Sequence, residues 1–438
     1  MALMANPPRR TAPACLVLAF LAITIPAVAQ DPGIQLPEIV PGLDKSHNLF
    51  DQYPDHPSQN PVFSIPASPL GYSVPGPIYE TRLDALVSLD FLDEDHLLFT
   101  FHVPGGLMQR SSPGSEESER HIRAVVVSLP SGKIEAQETW ELHDRLRYLW
   151  MLRDGHFLLR DAGGLQEGDA SLKLKPFVQF DGHLLWLEMD PTKHFLMTNS
   201  VEPASAPVSA KDAAESASAS ASGDPPATLT IRTLNLPSGE VFRTSRVPWT
   251  YQTSDLPMNF DGYLEVKGAG KRKWSLNLSY FAGGGHVIAS VPSTCAPQGR
   301  YISHREMLVT TCDPLGGWKL IAMMVNGWYR WTQNMSTNGI WPLLVMSPDG
   351  SWIARETLIL NHPLNGHNKH YSMQDVRGQL IRVINATNGN LMLEVPVKPL
   401  LLSGGNVAFS PSGKRVAILN EASIEVFNLP APSSSPND

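Results

Sequence analysis

Two stretches near the C-terminal end carry the same local instruction, Met346-Ser-Pro-Asp-Gly-Ser-Trp-Ile-Ala354 and Ala408-Phe-Ser-Pro-Ser-Gly-Lys-Arg-Val-Ala417. In each, an apolar strand stops at Ser-Pro, Asp-Gly or Ser-Gly makes the turn, and an alternating strand resumes, which is hairpin chemistry. Weaker copies run over Leu86–Phe99, Tyr148–Leu159 and Leu185–Met197. A second half-unit, strand, small-residue turn ending in Gly, strand, recurs at Val125–Ile134, Ile231–Val241 and Ile381–Leu391. Units repeated within one chain bury their apolar faces against their own copies.

Alternating the two half-units builds four-stranded sheets, and the intervals from Gly132 to Gly239 and from Gly239 to Gly389 correspond to two and three units of about 50 residues. The reading is an all-β chain forming a single β-propeller of seven four-stranded blades. The hairpins place the blades near 83–141, 145–181, 184–247, 258–291, 299–333, 341–396 and 404–429. The last has three strands in sequence, so its fourth is assigned to about 77–82, and the two ends of the chain close the ring. Closure protects strand edges that would otherwise stand exposed.

The Phe-Ser-Pro-Asp/Ser-Gly hairpin and the Ser-Gly or Asn-Gly turn that follows it resemble the blades of WD-type and TolB-type β-propellers, most closely over 341–359 and 380–429. The resemblance is one of architecture. Gly-His pairs begin at 155, 182, 285 and 366, but the Trp-Asp pair of true WD repeats never occurs, and 250–340 has irregular turns such as Gly283-Gly-Gly285 and Leu315-Gly-Gly317.

Outside the repeats, residues 1–29 hold Arg9 and Arg10, an apolar run, and Ala27-Val28-Ala29, which is the pattern of a cleaved signal peptide. The run is too short for an anchor, so the expected product is exported, periplasmic or extracellular, without a transmembrane anchor after cleavage. Residues 30–76 form a Pro-rich arm and 77–430 the propeller. Insertions near 110–120 and 200–227, the second rich in Ala, Ser and Pro, read as disordered, as does the tail 431–438. The net charge of −8 becomes more negative when Arg9 and Arg10 are removed, which excludes nucleic acid as a partner. Of three cysteines, Cys15 leaves with the signal. Cys295 follows one strand-like run and Cys312 ends another, so a Cys295–Cys312 disulfide is expected in an oxidising compartment.

No Gly-x-Ser-x-Gly elbow, Walker loop, dinucleotide fingerprint or His-Glu-x-x-His occurs. Ser347-Pro-Asp-Gly350 is read as a turn. His362, His367 and His370 share one loop and are the weak candidates for a metal site, with neither a thiolate nor a regular spacing to support them, so no metal is assigned. Trp318, Trp328, Tyr329, Trp331 and Trp341 are dense enough to stack on sugars or anchor a protein, but strand alternation assigns them mainly to packing between blades. No cofactor and no catalytic residue can be assigned.

Two readings follow. The first is a monomeric, non-catalytic exported scaffold whose loops, near 110–120, 200–227 and 360–378, face a protein or cell-envelope partner. The second is a propeller enzyme or small-ligand binder, of the lactonase, lyase or quinone-dependent dehydrogenase kind, with polar groups converging on the central channel.

Overall fold

The computed structural model describes residues 59–75, 85–103, 120–143, 147–161, 164–180, 183–201, 228–248, 256–268, 272–313, 317–335, 337–363 and 372–431. The expected leader and the two insertions fall outside these residues, apart from Arg120, Ser200 and Val201.

Seven antiparallel sheets follow one another along the chain, and in all but the last the strands pair in sequence order. Blade I contains β2 (Val87–Phe91), β3 (His96–His102), β4 (Arg120–Ser128) and β5 (Lys133–Leu142). Blade II contains β6 (Leu149–Met151), β7 (Phe157–Asp161), β8 (Gly164–Gly168) and β9 (Lys175–Gln179). Blade III contains β10 (His183–Met189), β11 (Phe195–Val201), β12 (Thr228–Asn235) and β13 (Val241–Pro248). Blade IV contains β14 (Gly262–Gly268), β15 (Lys273–Tyr280) and β16 (Gly285–Pro292). Blade V contains β17 (Gln298–Tyr301), β18 (Glu306–Cys312), β19 (Trp318–Met324) and β20 (Tyr329–Met335). Blade VI contains β21 (Gly339–Met346), β22 (Trp352–Leu360), β23 (Val376–Asn385) and β24 (Leu391–Val397). Blade VII contains β25 (Val407–Phe409), β26 (Arg415–Asn420) and β27 (Ser423–Asn428), completed by β1 (Phe63–Pro66) from the other end of the chain. The first strands β2 and β21 both lie beside β25, which places first strands at the ring axis and last strands at the rim.

Blade IV departs from the four-strand pattern in an instructive way. Among the described residues its innermost strand is a stub, in which Met258 bridges Tyr263 and the Leu264 N–H donates to the Pro257 carbonyl. The turn between stub and β14, Asn259-Phe-Asp-Gly262, is the hairpin of the other blades with Asn for Ser. Asn259 Oδ1 accepts the N–H groups of Asp261 and Gly262, at 3.0 and 2.9 Å. Ser347 does the equivalent in blade VI, donating to Asp349 at 2.5 Å and accepting the Trp352 N–H at 2.9 Å, so Ser347-Pro-Asp-Gly350 is a turn as its sequence implies.

The closing strand is not where the sequence places it. Phe63–Pro66, inside the Pro-rich arm, takes the edge of β27, with Phe63 opposite Val426 and Pro66 opposite Ser423, while 77–82 lies outside the described residues. Proline density argues against a sheet interior, but β1 is an outermost strand that bonds on one side only, where proline is tolerated. Ile65 anchors it and is 3% exposed. A Cβ on Gly132, in the last turn of blade I, would come within 3.0 Å of Ile65, and Gly132 has φ of 72°. Blades VII and I are therefore fitted to each other at the seam.

The core is distributed as one apolar layer between each pair of neighbouring blades. Alternation along the second strands supplies both sides: in β3, Leu97, Phe99 and Phe101 face blade VII while Leu98 joins the layer with blade II. Blade VI repeats this with Trp352 and Ala354 toward blade VII and Ile353 toward blade V. The same parity carries polar groups inward. Arg355 donates to Gln333 of blade V at 3.1 Å, whereas Glu356, 1% exposed, turns toward blade VII. Gln379 Nε2 donates to Glu356 at 3.0 Å, and the Asn406 amide, in its satisfied orientation, donates to both carboxylate oxygens. Burial still raises the Glu356 pKa to about 8.

Four outcomes are expected. A chain starting at residue 77 should lose the cooperative unfolding that a chain starting at 59 retains, and Ile65→Ala should cost about 3 kcal/mol in denaturant unfolding. Because the Glu356 pKa is raised above its unfolded value, the native state holds a proton that the unfolded state releases. Stability should fall as pH rises from about 4.5 to about 8, by at most about 1.4 kcal/mol per pH unit. Glu356→Gln should flatten that part of a Tm-against-pH profile.

Candidate functional site

Antiparallel order divides the connections between two faces of the ring. Turns from first to second and from third to fourth strands open on one face, the turn face; loops from second to third strands and links between blades open on the other, the loop face. The three long connections, from His102 to Arg120, Val201 to Thr228 and Leu360 to Val376, all join second to third strands and so leave from the loop face.

The disulfide belongs to the loop face as well. Cys295, in the link from blade IV to blade V, is bonded to Cys312 at the end of β18, with an S–S distance of 2.02 Å. Around it Ser293 Oγ accepts the Cys312 N–H at 2.9 Å, and the Thr294 N–H donates to the Cys312 carbonyl at 3.2 Å. The covalent link thus fixes the junction beside the stub-bearing blade.

Of the three loop histidines, His362 is placed with Nε2 3.4 Å from Asp375 Oδ1; His367 and His370 lie outside the described residues. Asp375 is held below the usual carboxylate range chiefly by the backbone N–H and hydroxyl of Ser372. Among the described residues no group of three His, Cys, Asp or Glu side chains is arranged to hold a metal.

The aromatic group divides. Trp331 is buried as alternation implies, and its Nε1–H donates to the Ala386 carbonyl at 2.7 Å. Trp318 is half-buried. Trp328 and Tyr329 correct the packing assignment, being 74% and 37% exposed. They sit at the last turn of blade V and the start of its rim strand, where no further strand among the described residues covers them.

They are part of a larger apolar surface on the turn face. Among the described residues, the exposed large apolar side chains are Val62, Val74, Val241, Phe242, Phe260, Val287, Trp328 and Tyr329, and all but the first two belong to blades III to V. Each of the six lies in a turn or within three residues of the start of a rim strand. Their centre is a ring cluster across blades III and IV: Phe195 lies 5.1 Å from Phe260 and 5.2 Å from Phe242, and His194 meets Phe260 edge-on at 5.8 Å. Phe281 closes the cluster, 6.1 Å from Phe242 and 6.2 Å from Tyr263. Beneath it, among the described residues, the layer between blades III and IV is thin, with Met197, Ile231, Leu256 and Met258 as its buried members. Phe195, Tyr263 and Phe281 are partly buried and complete that layer; Phe242 and Phe260, 47% and 45% exposed, go beyond what packing requires.

Polar groups tie the surface together. His286 Nε2–H donates to the Val325 carbonyl at 3.2 Å, which leaves Nδ1 to accept the Tyr280 hydroxyl at 2.9 Å, and the two rings lie 5.7 Å apart. Arg243 donates to the Tyr280 carbonyl at 3.1 Å, joining blade III to blade IV. The aromatic positions were not found in the sequence as a site because 195, 242, 260, 281 and 328 come together only through the ring.

No protein-family model matches the chain, and no curated protein matches it. Solved structures resemble it in fold. An acylaminoacyl peptidase from Pyrococcus horikoshii is 8% identical, covering 73% of this chain and 54% of that one, with a TM-score of 0.43, so the chain spans about half the length of that enzyme. TolB from Acinetobacter baumannii is 12% identical over 70% of this chain and 76% of its own, with a TM-score of 0.38. The β-propeller domain of the Trilobed protease from Pyrococcus furiosus is 10% identical over 80% of this chain and 96% of its own, with a TM-score of 0.44.

The disulfide gives an outcome open to test. Replacing Cys295 and Cys312 by Ala, or reducing the purified protein, should destabilise it by about 3 kcal/mol, as expected from the 17-residue separation, read as a lower denaturation midpoint.

Proposed function

We propose that the protein is an exported binding scaffold that docks a protein partner on the turn face of blades III to V. One observation supports this reading above the others: exposed large apolar side chains are concentrated on that face, around Phe242, Phe260 and Trp328. Aromatic rings on a rigid support bind at low entropic cost and are the residue types that dominate protein interfaces. The cluster is flanked by Arg153, 3.3 Å from His194, and by Arg243, which favours a partner segment combining apolar side chains with acidic ones. Export is supported by the Cys295–Cys312 disulfide. No helix among the described residues is long and apolar enough to cross a membrane. The long connections on the opposite face remain the place where the sequence expects decoration, and the docking assigned here does not involve them.

A photo-reactive amino acid placed at Phe242, Phe260 or Trp328, with Thr294 on the loop face as control, tests the assignment in the native envelope. The expected result is one adduct common to the three turn-face positions, absent at Thr294, and weakened about tenfold or more by Phe260→Ser in the variant labelled at Trp328. Equal labelling from Thr294, or no adduct from the three positions, would overturn it.

A further inference from the structure

The rim strands of blades I to VI share one irregularity, and blade III puts it to a different use. Near the start of the fourth strand one residue has no partner in the register: Glu135, Phe177, Phe242, Ile288, Arg330 and Met392 in turn. A bulge of this kind re-aims the side chain at its position. Of the six, Phe242 is the exposed apolar one, at 47%, whereas Ile288 is buried at the same place in blade IV. The bulge belongs to the fold, but an exposed ring upon it does not.

From Phe242 a continuous row of contacts runs over the turn face toward the axis. Phe242 meets Phe195 at 5.2 Å, Phe195 meets Phe260 at 5.1 Å, Phe260 meets the His194 ring at 5.8 Å, and His194 Nδ1 lies 3.3 Å from the Arg153 guanidinium. Arg153, His194 and Phe260 come from the first turns of blades II, III and IV, on the axis side of the face. Asp190, 1% exposed, fixes the middle of the row: Oδ1 accepts the N–H groups of His194 and Phe195 at 2.7 and 2.6 Å, and Oδ2 that of Thr192 at 2.8 Å. At the outer end Arg243, next in sequence to Phe242, donates to the Tyr280 carbonyl at 3.1 Å. The row thus has a cation at each end and rings between them.

Both cations have capacity left. Arg153 donates to the Thr192 carbonyl through Nη2, and its Nε and Nη1 make no hydrogen bond among the described residues. The exposed acids of the same turns, Asp154, Glu240 and Asp261, form no ion pair with either arginine among the described residues. In the first turn of blade I, by contrast, Asp93 is met by His96 at 3.0 Å and Glu94 by Arg415 at 3.2 Å.

We propose that this row reads an extended segment of a partner protein in the order acid, apolar stretch, acid, with one carboxylate on Arg153, apolar side chains over Phe260, Phe195 and Phe242, and the second carboxylate on Arg243. The inference rests on the docking face proposed above and adds the order of groups on the partner. Guanidinium groups present paired donors to a carboxylate, and the rings between them supply apolar contact area. The four steps from Arg153 to Phe242 set the length, roughly six residues of extended chain at about 3.3 Å each. A basic or uncharged segment leaves both arginines unmatched, so charge selects against it.

Selection of random dodecapeptides displayed on phage against the immobilised full chain, followed by calorimetric titration of the enriched peptides, is the test. Enriched sequences should carry Asp or Glu on both sides of an apolar stretch, and replacing those acids by Asn or Gln should weaken binding about tenfold. Arg153→Gln and Arg243→Gln should each weaken it about threefold or more, and selection on Arg153→Glu should replace the acid at one end by Lys or Arg. Arg153 is exposed, so the unliganded Tm of its variants should stay near that of the parent. Peptides that lose binding on Phe260→Ser yet carry no acids, or that bind Arg153→Glu as well as the parent, would overturn this inference and leave the docking face standing. Peptides indifferent to Phe260→Ser, or no enrichment at all, would overturn it too, while photo-labelling from Phe242, Phe260 and Trp328 reads the docking face separately.

Discussion

Each blade is a sheet with two apolar faces, and only another blade can cover them. The second strands show this most plainly, since consecutive residues such as Leu97 and Leu98, or Trp352 and Ile353, are buried against different neighbours. A row of such sheets would leave its first and last faces in water, and a ring leaves none. The architecture therefore depends on the seam at blade VII, where four residues of β1 hydrogen-bond to β27 and Ile65 fits against Gly132 of blade I. Polar groups are admitted to the layers where partners exist: Glu356 is met by Gln379 and Asn406, and Arg355 by Gln333.

Regularity of the ring also explains where function can reside. A layer that is thin, as between blades III and IV, is completed from the turn face by aromatic rings, and a surface already committed to rings can extend outward at small cost, as Phe242 and Phe260 do. At the axis a charged pair joins blades III and V directly, Arg300 donating to Glu188.

Blade boundaries were legible to within a few residues because turn chemistry and period-2 alternation are local. The disulfide was legible because Cys295 follows one strand-like run and Cys312 ends another, so that two neighbouring strand ends could meet. The closing strand was not, since proline density was weighed as though every strand were interior, and β1 is an edge. Met258-Asn-Phe-Asp-Gly262 escaped recognition as a copy of the Ser-Pro-Asp-Gly hairpin because its residues differ, although the Asn259 carboxamide accepts backbone N–H groups much as a Ser hydroxyl does. For Trp328 and Tyr329, alternation states which residues share a side but not whether a further strand covers that side.

The seam has a consequence in time. Strand β1 lies near the beginning of the chain and its partner β27 near the end, so the pairing of Phe63 with Val426 is among the most distant that the sequence permits. Contacts of such separation carry the largest loop-closure entropy and form late. During synthesis, every blade but the last can be assembled while blade VII still lacks its rim strand and Ile65 its cavity. The ring becomes a closed object only after residue 428 has emerged, and until then β27 has an open edge on which a second chain could pair.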